Sequence, residues 1–169
     1  MRIFWISTII YIVQILTICQ SSMVITITDV TFFCDPEFCS DESKVYLVNK
    51  DIKNEVFSSL TLVKSLPNSS KAHIEVLVET DGQYQILNNI DQWMPMCDLI
   101  DEPVLLGKLF RNMGFKGCPV DPGVYSNPSY VAVPVSESNY PPGNYMSRLQ
   151  VEQENNKLIS SLETKFKIE

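Results

Sequence analysis

Histidine is almost absent from this chain of 169 residues, with His73 the single example. Any Ser-His-Asp or Cys-His nucleophile scheme must therefore pass through that one ring. It falls in phase with Glu75 and Glu79 on the polar side of an alternating stretch, which predicts a solvated surface histidine and not a base. Also missing are a G-x-S-x-G elbow, a P-loop, a G-x-G-x-x-G turn and an H-E-x-x-H helix. Asp98, Asp101 and Glu102 precede a helical pattern, where capping and the helix dipole account for carboxylates. No enzyme is expected, and no cofactor or metal is implied.

Positive charge is scarce too: 13 basic residues stand against 20 acidic ones, a net of −7. An acidic surface repels phosphate backbones, so a nucleic-acid partner is not expected, and no basic helix suggests anionic headgroups. Only one long apolar run exists. It follows Arg2, extends from Ile3 to Ile18 and gives way to Ser21 and Ser22, the order of a secretory signal. The run carries Gln14 and falls short of the roughly 20 clean apolar residues of a membrane span. The ending Lys165-Phe166-Lys167-Ile168-Glu169 is too charged for a lipid-anchor signal. The expectation is a signal peptide over residues 1–21 and one secreted, extracellular domain over 22–169. Losing Arg2 leaves 148 residues with 12 basic and 20 acidic groups, net −8, enough chain for a single core.

Of five cysteines, Cys19 lies in the leader, and Cys34, Cys39, Cys97 and Cys118 remain. An even count in an oxidising compartment implies two disulfides with three possible connectivities. Cys34 to Cys39, across Asp35-Pro36-Glu37-Phe38, and Cys97 to Cys118, around a helical segment, is the preferred pairing. The spacings are not paired C-x-x-C knuckles, which disfavours zinc.

Period-two alternation marks strands with one buried face. Over 72–80 the apolar phase is Ala72, Ile74, Val76 and Val78; over 56–66 it is Val56, Leu60, Leu62 and Leu66. The final segment sets Leu158, Leu162, Phe166 and Ile168 against charged neighbours. Asp81-Gly82 supplies a type I′ hairpin turn, and Asn155-Asn156 plays a similar part. With 24–33, 44–50, 84–87, 130–135 and 144–154, about eight strands result, a number that fits a two-sheet sandwich. One segment has helical spacing. Between 101 and 114 Leu105, Leu106, Leu109, Phe110 and Met113 recur on one side, with Pro103 in the first turn and Gly114 at C′. Gly107 inside this helix costs about 1 kcal/mol in propensity, and Pro119, Pro122 and Gly123 form a stiff exit.

Asn68-Ser69-Ser70 is an N-glycosylation sequon in a turn-like stretch, with Asn68 as the acceptor. Tyr125, Tyr130, Tyr140 and Tyr145 gather around Pro128, Pro134, Pro141 and Pro142. They either rim a ligand entrance or, more commonly, pack an edge around prolines.

The second half, from Trp93 to Ile168, resembles the CheB-like secreted proteins of insects. The likeness rests on Cys97-Asp98-Leu99, the segment Leu106-Gly107-Lys108-Leu109-Phe110, Gly117-Cys118-Pro119-Val120, Gly123-Val124-Tyr125 and Tyr140-Pro141-Pro142-Gly143-Asn144-Tyr145. Those proteins are similar to the ML lipid-recognition superfamily, which includes the ganglioside activator. The resemblance implies a mostly β, immunoglobulin-like sandwich of about eight strands with one amphipathic helix, its sheets splayed around an apolar molecule. It also implies a chemosensory role such as pheromone or taste detection. With four mature cysteines, the third disulfide of better-known ML proteins has no counterpart.

The chain is therefore expected to be a non-enzymatic binding protein for a lipid or other hydrophobic small molecule. Alkyl chains entering between the sheets would gain about 0.8 kcal/mol per buried CH₂. The expected lining is Leu60, Leu62, Ile74, Val76, Val78, Val131, Val133, Leu149, Val151, Leu162 and Phe166, with Leu106, Phe110 and Met113 as a lid. The alternative is an extracellular protein-interaction module: a solid Ig-like sandwich whose exposed face binds a receptor or membrane-protein partner. Alternation cannot separate a filled interior from a hollow one.

Overall fold

Asp81 and Gly82 adopt φ of +53° and +77°, the paired left-handed conformation of a type I′ turn, and join Thr80 to Gln83 directly. This hairpin is one of several antiparallel joints in a computed structural model that describes residues 24–48, 55–103, 106–131 and 140–169. The expected signal peptide and Val133 lie outside the described residues. The strands are β1 (Ile25–Cys34), β2 (Lys44–Leu47), β3 (Glu55–Leu62), β4 (Lys71–Thr80), β5 (Gln83–Pro95), β6 (Gly123–Val131), β7 (Gly143–Glu152) and β8 (Leu158–Ile168). A five-stranded sheet in the order β1-β8-β7-β4-β5 faces a three-stranded sheet in the order β2-β3-β6, all pairings antiparallel. This is the mostly β, two-sheet sandwich expected from the strand pattern, with the immunoglobulin-like architecture that the resemblance implies.

Several boundaries differ from the alternation. The segment read as 84–87 continues to Pro95 as a strand of 13 residues, paired to β4 over 83–86 and again over 91–95, with a register shift between. The stretch read as an exit loop starts β6 at Gly123, eight positions before its end at Val131. The 56–66 strand stops at Leu62, and Leu66 makes a separate bridge to Val120. The last hairpin is wider than two residues: Gln153 N–H donates to Lys157 O (2.9 Å), with Asn156 at φ +61°.

The helix expected over 101–114 appears as the shorter α2 (Leu106–Asn112), and an unexpected helix, α1 (Met96–Asp101), precedes it, with Leu105 outside the described residues. Proline disfavours helical geometry in the residue before it, and Glu102, preceding Pro103, sits at φ −56°, ψ 126°. Arg111 then ties the two pieces together, its Nη1 donating to the carbonyls of Ile100 (2.9 Å) and Glu102 (3.1 Å). Asp98 occupies the first turn of α1 without a side-chain cap, whereas the Glu102 carboxylate accepts the Gly107 N–H (3.2 Å). Gly114 ends the helical region at φ +100°, and Phe115 N–H donates to Phe110 O (3.1 Å) in the manner of a Schellman close.

Both disulfides pair as preferred, Cys34 with Cys39 and Cys97 with Cys118. Phe38, inside the short loop, is wholly buried. Pro122-Gly123-Val124-Tyr125 and Pro142-Gly143-Asn144-Tyr145 are one local device used twice. Each tyrosine hydroxyl donates to the carbonyl four residues back, Tyr125 to Asp121 (2.8 Å) and Tyr145 to Pro141 (2.6 Å). Each ring also lies over its glycine, where an added Cβ would touch it at 3.8 Å and 3.7 Å. Both tyrosines are therefore packing residues: Tyr125 stacks on Phe115 and Tyr145 on Phe166.

Candidate functional site: an apolar cavity between the sheets

The core divides in two. The larger part joins both sheets to the helices through Phe38, Leu62, Leu66, Ala72, Met96, Leu99, Ile100, Phe110, Phe115, Val151 and Ile159. A smaller part gathers Leu87, Tyr145 and Ile168, with Ile25, Val76, Val78, Ile90 and Phe166 against them. A cavity of about 150 Å³ lies within the sandwich. Ile27, Val30 and Phe32 of β1, Leu149 of β7, and Leu162 and Thr164 of β8 form one wall. Val45 of β2, Val56, Ser58 and Leu60 of β3, and Tyr130 of β6 form the other, while Leu109, Phe110, Met113 and Phe115 close one end. Burial pushes the Tyr130 phenol pKa upward, which keeps it protonated.

Of the expected lining, the structure brings together Leu60, Leu62, Phe110, Met113, Leu149, Val151 and Leu162. The cavity does not reach Ile74, Val76, Val78, Leu106 or Phe166. Their inward phase is as expected, but Ile74 and Leu106 pack on the larger core and Val76, Val78 and Phe166 on the smaller. Val131 points the other way and is 51% exposed. A register shift in β3 between Val56 and Ser58 puts Tyr130 opposite Val56 on the inner face, which turns Val131 outward.

Sequence reasoning misses Ile27, Val30, Phe32 and Val45, while Tyr130, one of the tyrosines expected to rim an entrance or pack an edge, lines the cavity itself. Strict alternation from Ile27 would carry Asp29 inward; a bulge between Ile27 and Asp29 restores Val30 to the inner face instead. The only signal for it is the chemistry of the residues, since a carboxylate cannot take an apolar position.

The polar cluster lies on the opposite, outer face of the five-stranded sheet. His73 is on the polar side, but its side chain is only 13% exposed and is not solvated as expected. Trp93, paired with it on β5, stacks flat on the ring at 4.3 Å, and Asp91 Oδ1 approaches Nε2 to 2.5 Å. His73, Glu75 and Asp91 place their ligating atoms within 4.8 Å of one another, the one such group among the described residues. Two of the three already have partners, Asp91 in its contact with His73 and Glu75 with Arg148 Nη1 at 2.8 Å, with Arg148 also on Glu163. Asn68 is exposed in a turn closed by Ser70 N–H to Pro67 O (2.9 Å), a position open to a sugar.

No family model matches the chain, and no curated protein matches it. Among solved structures it is similar to chicken MD-1 complexed with lipid IVa, at 11% identity and a TM-score of 0.42, over 85% of this chain and 96% of that one. It is also similar to a Niemann-Pick type C2 protein from Japanese carpenter ant, at 12% identity and a TM-score of 0.33, over 86% and 92%.

Proposed function

We propose that this protein is a secreted, non-enzymatic carrier of an apolar ligand, of the CheB-like kind that its second half resembles, acting in chemosensory detection. The carrying observation is the cavity of about 150 Å³ with apolar walls from both sheets. An empty apolar void of that size forgoes roughly 4 kcal/mol at about 24 cal/mol per Å³, a deficit that an apolar guest removes. A comparable engineered void of about 150 Å³ takes up benzene. The test is titration of the secreted protein with a fluorescent apolar probe, together with mass spectrometry of organic extracts from its native tissue. Saturable binding and a co-purifying apolar compound are expected, whereas no binding by any apolar probe sinks the proposal.

A receptor partner has its own supporting observation. The outer face of the three-stranded sheet exposes Tyr46, Val124 and Val131, Tyr46 stacked on Phe57. Cross-linking of wild type and Val124→Glu to membranes of the same tissue tests that face, with loss of capture in the variant as the expected outcome.

A further inference from the structure

No described residue that lines the cavity carries a charge, and none is a histidine or an amide. The side-chain polarity inside is hydroxyl only, from Ser58, Ser160, Thr164 and Tyr130, since Ser161, opposite the exposed Phe33, falls in the outward phase. Ser58 Oγ is already engaged, donating to Asn127 O at 3.4 Å. Lys44 and Lys165, although carried by wall strands, fall in the outward phase: Lys44 opposes Ser59, and Lys165 opposes and pairs with Asp29. An anion drawn between the sheets would shed its hydration and meet no cation among the described lining residues, a cost that hydroxyl donors do not offset. The molecule's net charge of −7 adds no long-range attraction for it. A neutral end group gives up far less water, and serine and threonine hydroxyls can donate to it or accept from it.

We infer that the ligand taken by this cavity is uncharged, an apolar molecule whose polarity is at most an alcohol, ester or carbonyl, and that free fatty acids enter only in their protonated form. This selectivity rests on the carrier function proposed above and narrows it to a chemical class.

The experiment is displacement of a neutral naphthylamine probe from the full secreted protein by 1-decanol and by decanoate, from pH 7.5 down to pH 5. At pH 7.5 decanol is expected to displace at concentrations at least about tenfold lower than decanoate, because only the small protonated fraction of the acid is competent. Decanoate should then gain roughly tenfold per pH unit as the solution approaches the carboxylic acid range, while decanol stays constant. Equal displacement at pH 7.5, or a pH-independent decanoate curve, overturns the inference and leaves the carrier function standing. Absence of binding by probe and decanol alike overturns both. Thr164→Lys, which sets a cation in the wall, should narrow or reverse the preference; if that variant does not fold, the wild-type pH profile decides alone.

Discussion

At Glu37 two lysines converge on one carboxylate. Lys157 Nζ lies 2.6 Å away and Lys64 also donates, and these two bonds pull the carboxyl from an ordinary 4.5 down to about 2. The folded state thus binds this proton less readily than the unfolded chain. Its contribution is present above about pH 4.5 and is lost as the pH falls toward 2. A urea midpoint that drops across that interval in wild type, and drops less in Glu37→Gln, is the expected result. Gly107 inverts an ordinary rule. Propensity alone says that alanine in a helix gains about 1 kcal/mol over glycine, yet a Cβ there would overlap the Glu102 carbonyl oxygen and stand 2.7 Å from that of Ile100. Gly107→Ala should therefore lose about 1 to 3 kcal/mol by overpacking against backbone, measured by denaturant unfolding. His73, between Trp93 and Gln150 on the outer sheet face, packs but does not face the cavity. His73→Ala is expected to cost about 1 kcal/mol, to red-shift Trp93 emission, and to leave probe affinity unchanged.

At the scale of elements, α2 behaves as the end wall of the cavity, and its attachment explains why so short a helix persists. Seven residues are too few to be stable alone. Arg111 and Gly107 fasten α2 to the end of α1, and the Cys97–Cys118 bridge holds the ends of the helical region together. Phe110 sits at the junction, buried, edge-on to Phe115 at 5.2 Å and lining the cavity. Phe110→Ala should lose about 3 to 5 kcal/mol in the absence of ligand. A saturating apolar ligand that fills the enlarged space should recover part of that loss. Paired unfolding curves with and without probe measure it, and an identical loss in both would mean that Phe110 is ordinary core.

For the whole molecule, the proposed carrier function predicts that binding is coupled to folding. A ligand that binds only the native sandwich raises its stability by RT ln(1 + [L]/Kd), about 2.7 kcal/mol at a hundredfold excess over Kd. Thermal unfolding of wild type should therefore rise with decanol concentration in step with the dissociation constant from titration. A titration signal without that rise would place the probe on the surface, for example on the exposed Tyr46, Val124 and Val131.

What the chain's order of residues determined by itself is local. Asp81-Gly82 specified a type I′ turn because only residues tolerant of positive φ fit it, and Gly114 closed a helix for the same reason. The two cysteine pairs, the inward phase of Ile74, Val76 and Val78, and the sandwich class were legible from spacing and period. Tertiary structure decided what alternation cannot encode. The bulge after Ile27 and the shift at Val56 choose which of two adjacent residues turns inward, which brings Val30 and Tyr130 to the cavity and turns Val131 away. Whether an inward residue meets another side chain or open space depends on how far the two sheets diverge. Phe38, Met96, Phe110 and Phe115 meet in one buried cluster beside that space, residues from separate stretches of the chain whose meeting no local pattern records.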